Sequence, residues 1–369
     1  MKRTLLIFIV VLFACSAFPL SKVEKGYFNI MEKELERTSE KIGFQEFQAP
    51  YLITYTFSIN KEIYSVGEFG NISNFTTRTR RNGSVSMRFG NMEFDNSSTM
   101  GFNPADEIES DSLRTGFWMM SDECYKEVVT NYLNSKSTVV KKLPDKEKTD
   151  SYSPAKRVVH HAKPLPFETR AEKLKSITKE LSAEFRKYGW LTDCQVYIKG
   201  SYARYYMLNT EKTRLTNNRM VWSITSTADT ICTDDGMAIS NFFKETYRTF
   251  EELSDVNTLK KKLHDMVSEL KVMREAEQVE PYTGPAILDP NSSYVYFHEA
   301  VGHRLEGHRL ANENEGHTFK DKIGKTIISD IISIYDDPTI SKFNGKTIIS
   351  HYDYDEEGVK SRRVRLING

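Results

Sequence analysis

Residues 284–307 read GPAILDPNSSYVYFHEAVGHRLEG and describe a helix that carries two histidines and a glutamate. Asp289 or Ser292 is placed to cap its N-terminus, and Pro290 is tolerated in the first turn, where no backbone N–H is needed. Phe297, Val301 and Leu305 recur at i, i+4 and i+8 as an apolar ridge, and Gly307 is placed to end the helix. His298 and His303 flank that ridge. Two imidazoles are the commonest start to a zinc site. Glu299, beside the first, is placed to act as general base towards water at such a metal.

The spacing constrains the backbone. In the familiar H-E-x-x-H arrangement the histidines are one turn apart on one face. Here they are five residues apart, about 140° round a regular helix of 3.6 residues per turn. Convergence on one ion therefore requires a π-bulge or a broken last turn, with Gly302 the residue most tolerant of the distortion.

Working outward, the preceding chain alternates strand-like and helix-like patterns without a repeat. Phe28, Met31, Leu35 and Ile42 predict an amphipathic helix over about 27–42. Tyr51, Ile53, Tyr55, Phe57 and Ile59 alternate as a half-buried strand, and shorter strands are expected over 63–69 and 84–89, separated by Gly and Asn turn signals. Ser121 is placed to cap a helix carrying Tyr125, Val128, Val129, Tyr132 and Leu133. From Lys136 to Pro166 the composition predicts a long surface connection. A helix over about 168–187 follows, then strands near 195–208 and 220–231, a turn at Asp234-Asp235-Gly236, and a helix over about 257–277. Pro281 and Pro285 mark a domain boundary. The pattern is α+β, not the regular alternation of a nucleotide-binding α/β sheet.

With 369 residues the chain exceeds one ordinary core, so two domains behind a leader are expected. Lysine plus arginine and aspartate plus glutamate number 51 each, so no net field favours nucleic acid or an anionic membrane. Arg78, Arg80 and Arg81 form a local basic cluster that reads as a solvated turn. Lys2 and Arg3, the apolar run Leu5 to Ala14, and the small residues Cys15, Ser16 and Ala17 have the order of a secretory signal peptide, too short to span a bilayer. The leader predicts export to the periplasm or envelope. Cys15 is a candidate lipidation site, because Leu12-Phe13-Ala14-Cys15 resembles a lipoprotein box, and Ala17 offers ordinary cleavage instead. Cys124, Cys194 and Cys232 are too widely spaced for a disulfide framework or a zinc cluster.

The block His298-Glu299-Ala300-Val301-Gly302-His303-Arg304-Leu305-Glu306-Gly307, with Gly284-Pro285-Ala286-Ile287-Leu288 before it, resembles the signature of the TldD/PmbA family of zinc metallopeptidases, also called modulators of DNA gyrase. Met31–Arg37, Pro50-Tyr51, Phe94-Asp95-Asn96 and Leu113-Arg114 through Lys126 are similar to its N-terminal half, in order. The resemblance implies an N-terminal mixed α/β domain (18–283 here, behind the leader 1–17, with the connection at about 136–166). It then implies the metal helix and the start of a mainly antiparallel β domain over 284–369. It implies His298 and His303 as zinc ligands and Glu299 as the catalytic carboxylate. It also implies subunits that pair around a chamber admitting peptides or unfolded proteins. The family's remaining ligand is a cysteine near the far C-terminus, and Gly369 falls early in that domain, so the resemblance implies a shortened chain. Glu306, His308, His317 and His351 are the candidate substitutes, each also readable as an ordinary exposed polar residue.

The function expected is a zinc-dependent peptidase acting on peptides or unfolded proteins. The alternative is a catalytically impaired homologue serving as a pairing or peptide-binding subunit, with a homo- or hetero-oligomer of family members as its setting. No nucleic acid partner is expected, and membrane attachment only through a lipid on Cys15.

Overall fold

The computed structural model describes residues 18–43, 47–105, 110–141, 150–277, 279–307, 309 and 316–369. The leader with Cys15, the candidate ligand His308, and residues 142–149 of the expected connection lie outside them. The chain divides into two units, Met1–Glu275 with Ile340–Ser361, and Ala276–Thr339 with Arg362–Gly369.

The first unit begins with α1, Lys22–Lys41, which starts earlier than its apolar spacing predicts because Ser21 and Glu24 close a reciprocal capping box. Strand β1 (Leu52–Glu68) then forms a long hairpin with β2 (Asn71–Gly90). Both turn residues, Phe69 (φ 46°) and Gly70 (φ 79°), are left-handed, as a tight hairpin turn with the right-handed strand twist requires. The two strands expected at 51–59 and 63–69 are thus one, and the expected 84–89 strand is the end of β2. The polar interruption at Asn60-Lys61-Glu62 does not break the strand, because Glu62 pairs with Arg78 on β2 and with Lys199 on the other neighbour. Arg78, Arg80 and Arg81 accordingly lie within a strand and not on a turn.

Strand β3 (Asp95–Phe102) leads to α2, Ser110–Lys141. Ser121 sits mid-helix and is not a cap. Its hydroxyl donates to Phe117 O at 2.7 Å and accepts from the Tyr55 hydroxyl, which in turn accepts from Thr38 at 2.8 Å. The expected connection is also shorter than its composition suggests, since α2 runs to Lys141 and Val159–His161 form β4, parallel to the start of β6. Helix α3 (Ala171–Ala183) closes in a 3₁₀ turn, Glu184–Lys187. Strands β5 (Asp193–Asn209), β6 (Arg214–Ile231) and β7 (Ala238–Tyr247) and helix α4 (Val256–Glu275) complete the unit.

The sheet runs β3-β2-β1-β5-β6-β4, with β7 on β6 beyond β4, and every pairing except β4–β6 is antiparallel. The mixed α/β architecture with a mainly antiparallel sheet is as expected. Strand parity explains the packing. Ile53, Tyr55, Phe57 and Ile63 of β1, Val196, Ile198, Tyr206 and Leu208 of β5, and Trp222 and Ile224 of β6 all face one side. There α1 and α2 bury one half of the strands, and α3 and α4 the other. Arg204 crosses into the first core to pair with Glu24 of α1 at 2.8 Å and donates to Ala162 O and Asn218.

The second unit carries α5, Pro290–Phe297, and a short antiparallel pair, β8 (Ile334–Asp336) with β11 (Val364–Ile367), over which Arg363 stacks on Tyr335 at 3.8 Å. Two further two-residue strands, β9 (Lys342–Phe343) and β10 (Lys346–Thr347), pair within Ile340–Ser361. Among the described residues no helix is long and apolar enough to cross a membrane.

Candidate metal centre

The motif begins as its sequence predicts. Asp289 is the N-cap, its carboxylate accepting the Ser292 N–H at 2.7 Å, and Pro290 occupies the first turn. After Phe297 the winding changes. Residues His298–Gly302 form a π turn in which the His303 N–H reaches the His298 carbonyl, and His303–Leu305 then tighten into a 3₁₀ turn. The departure from α winding that the five-residue spacing requires is present. It does not depend on Gly302 in the way expected. Gly302 has ordinary right-handed angles (φ −54°, ψ −60°), and a Cβ there would meet nothing closer than Phe297 O at 3.8 Å. The wider turn is built from residues that all stay in the right-handed region, so any L-residue can occupy it.

The π turn brings the two imidazoles together, with ring centroids 4.5 Å apart and planes at 72°. One donor atom each from His298, Glu299 and His303 lies within 4.8 Å of the others. The Glu299 carboxylate sits between the rings, 3.9 Å from Nε2 of each histidine. Ligands about 2.0–2.1 Å from one tetrahedral zinc lie about 3.4 Å apart, so modest side-chain rotation closes the set around an ion. The donors fit such a metal: imidazole nitrogens suit zinc, and both are solvent-accessible.

Glu306 does not join this cluster. Its Oε1 accepts from His303 Nδ1 at 2.8 Å, while Oε2 receives Arg309 Nε at 3.0 Å. Those bonds, that of His303 foremost, hold the Glu306 carboxyl below its usual range. With Nδ1 protonated towards Glu306, the lone pair of His303 resides on Nε2 and faces the cluster, the usual arrangement of a carboxylate behind a metal-binding imidazole. The i, i+3 spacing of His303 and Glu306 on a helix was the sequence signal for this role. Tyr294, one turn before His298, stacks on its ring at 6.0 Å.

The remaining candidates are placed elsewhere. His317 donates from Nε2 to Arg309 O at 2.8 Å, and His351 belongs to the first unit, near Asp353. Cys124, Cys194 and Cys232 also lie in the first unit. Burial pushes the Cys124 and Cys194 thiols up to about 12, so neither is a thiolate at neutral pH.

Residues 281–369 match the profile of the PmbA/TldA metallopeptidase C-terminal domain. A curated metalloprotease of Methanocaldococcus jannaschii is 40% identical over 81 residues, which is 22% of this chain and 16% of that protein. The metalloprotease TldD homolog of Haemophilus influenzae is 40% identical over 83 residues, again 22% of this chain and 16% of the relative. Each match thus spans about a sixth of the curated relative's length. The crystal structure of TldE from Thermococcus kodakarensis superposes with a TM-score of 0.58 at 16% identity, covering 92% of this chain and 67% of that one. That likeness shows the fold, and the motif lies within the matched C-terminal domain. Residues 281–369 are thus similar to the C-terminal domain of the PmbA/TldA metallopeptidases.

Proposed function

We propose that this protein is a zinc-dependent peptidase acting on peptides or unfolded proteins, with His298 and His303 as metal ligands and Glu299 as general base. The π turn at His298–Gly302 carries the reading, because it converts a spacing that would splay the histidines into one that joins them around a carboxylate. A zinc ion held there supplies Lewis acidity towards water and a peptide carbonyl. His298 and His303 offer Nε2, and Glu306 fixes the tautomer of the second. Glu299 takes the proton from the attacking water and passes it to the departing amine, the shuttle for which a carboxylate between the two ligands is positioned.

The test separates ligand from base. In Glu299→Gln zinc stays bound while peptide hydrolysis falls by a factor of about 10² to 10⁴. In His298→Ala metal content and activity fall together. Full activity in Glu299→Gln would sink the general-base role.

One observation favours a second reading. Among the described residues the cluster contains two imidazoles and one carboxylate, and catalytic zinc sites ordinarily hold three protein ligands and a water. If Glu299 served as the third ligand it would no longer be a free base, and the chain would act as a pairing or peptide-binding subunit beside an active family member. Export through the Met1–Ala17 leader, to the periplasm or envelope, belongs to the same proposal and rests on the leader's charge and apolar order.

A further inference from the structure

The segment Ile340–Ser361 crosses the sheet face that the four helices leave open, and a cavity of about 1090 Å³ lies beneath it, wholly within the first unit. Its floor is sheet. Thr56 of β1, Tyr205 and Met207 of β5, and Leu215, Asn217 and Arg219 of β6 have the parity opposite to the core residues.

The direction of the crossing segment is set by its contacts. At its start, Thr347 donates to Glu252 at 3.0 Å, and the other oxygen of Glu252 accepts the Arg248 backbone N–H at 2.9 Å. Midway, Asn217 Nδ2 donates to Tyr354 O at 3.1 Å, and Tyr354 stacks on His160 at 4.8 Å. At its end, Gly358 sits so close to Thr213 and Leu215 that a Cβ would lie 2.8 Å from the first, and Glu357 reaches Arg88 at 3.6 Å. The cavity therefore has two distinct ends.

The ends carry opposite charge. The register that pairs Trp222 with Tyr247 sets Arg248 beside Val221, on the same face as Arg219 and diagonal to it. Both arginines line the cavity, and neither has an ion-pair partner among the described residues. Towards the other end the lining offers Asp353, Asp355 and Glu356. Asp355 uses one oxygen to hold its own turn, accepting the N–H of Glu357 and of Val359. Asp353 and Glu356 remain exposed to the cavity mouth. Between the ends lies the ring of Tyr205, 42% exposed, while Met207 and Leu215 are buried under Gly358.

We propose that this cavity binds a short peptide with both termini free. Its carboxylate meets Arg219 and Arg248, its ammonium meets Asp353 and Glu356, and an apolar or aromatic side chain rests on the exposed ring of Tyr205. Paired arginines suit a carboxylate's fork geometry, and the volume lies just above the roughly 300–1,000 Å³ of small-ligand sites. None of this uses the histidine motif, so the inference goes beyond the peptidase reading and stands or falls apart from it.

The test is calorimetric binding to the whole 369-residue chain in chelator, where no turnover occurs. Three probes are used: the tripeptide Leu-Phe-Leu, its C-terminal amide and its N-acetyl form. The free peptide binds one to one, and each blocked form binds roughly tenfold more weakly, the loss expected for a charged hydrogen-bonding partner. Arg219→Gln with Arg248→Gln abolishes the preference for acid over amide. Asp353→Asn with Glu356→Gln abolishes the preference for amine over acetamide. Both pairs of changes are on the surface and preserve shape. Absence of binding at millimolar peptide, or an acid preference that survives the double arginine change, overturns the proposal. So does binding lost in His298→Ala but untouched by the arginine changes, which would transfer the peptide to the motif.

Discussion

The backbone N–H of His303 donates to the carbonyl of His298, five residues earlier, and this one hydrogen bond turns the motif into a site. In a regular helix the donor would reach residue 299, and the two imidazoles would point about 140° apart. The wide turn adds one residue per loop of the ladder and swings them to 4.5 Å between ring centroids.

Because the wide turn uses only right-handed backbone angles, Gly302→Ala is expected to leave it intact. The added methyl meets Phe297 O at 3.8 Å, an ordinary contact. Stability should change by no more than about 0.5–1 kcal/mol, in the favourable direction that Ala brings to helical backbone. Thermal melting and zinc content measure both effects, and a loss of zinc with the fold retained would show that the glycine is needed after all.

Glu306 supports His303 without joining the donor cluster, so Glu306→Ala should weaken zinc affinity by about 10- to 100-fold and leave the fold unchanged. Competition with a chelator of known affinity gives the number. An affinity equal to that of the parent protein would make the 2.8 Å contact incidental.

The Glu24–Arg204 pair is nearly closed to solvent, with side chains 11% and 5% exposed. Arg204→Met leaves a buried carboxylate unpaired and should cost about 3–5 kcal/mol in chemical denaturation. Glu24→Gln with Arg204→Met should recover much of that loss, because both charges are then gone.

The same pair makes stability depend on acid. Burial alone would raise the Glu24 carboxyl, but hydrogen bonds from the Ser21 backbone and hydroxyl and from Arg204 outweigh it and hold the group below its usual 4.5. A depressed folded-state value stabilises the fold above the unfolded carboxylate range, and the contribution disappears as pH falls through the folded value. Denaturation midpoints should therefore drop below about pH 4.5 more steeply in the parent than in the Glu24→Gln, Arg204→Met variant. Identical acid limbs would exclude Glu24 as the titrating group.

Gly200 lies opposite Trp222 across β5 and β6, and a Cβ there would fall 2.5 Å from the indole ring. Trp222 is 1% exposed and packed between Phe167 and Phe250, so it has nowhere to move. Gly200→Ala should destabilise by about 1–3 kcal/mol through overpacking. A melting temperature within error of the parent would mean the second core repacks freely.

Local signals in the chain carried the motif well. Asp289 and Pro290 mark a helix start because capping uses atoms within three residues. The five-residue histidine spacing announces irregular winding because helix geometry is local too. Ser121 misled for the converse reason. A serine before an apolar stripe looks like a cap, yet its partners are Phe117, one turn back, and Tyr55, 66 residues away. Strands β3 and β7 gave little warning: β3 has one buried position, and β7 alternates only between exposed and half-buried residues.

What the amino-acid order determined by itself is the content of each short window: the α1 and α4 helices, the alternation of β1 and β5, and the donor set His298, Glu299 and His303. What only the tertiary structure decided depends on partners distant in the chain. Glu62 is tolerated inside a 17-residue strand because Arg78 and Lys199 reach it from both sides. Glu306 faces His303 Nδ1 and not the donor cluster because the chain leaves the helix at that residue. The cavity over Arg219 and Arg248 exists because Ile340–Ser361 returns to the first unit, across a sheet face whose parity no local pattern assigns. Periodicity fixes which residues share a face of one strand. Only pairing and packing between strands far apart in sequence determine which face the helices bury and which stays open to a ligand.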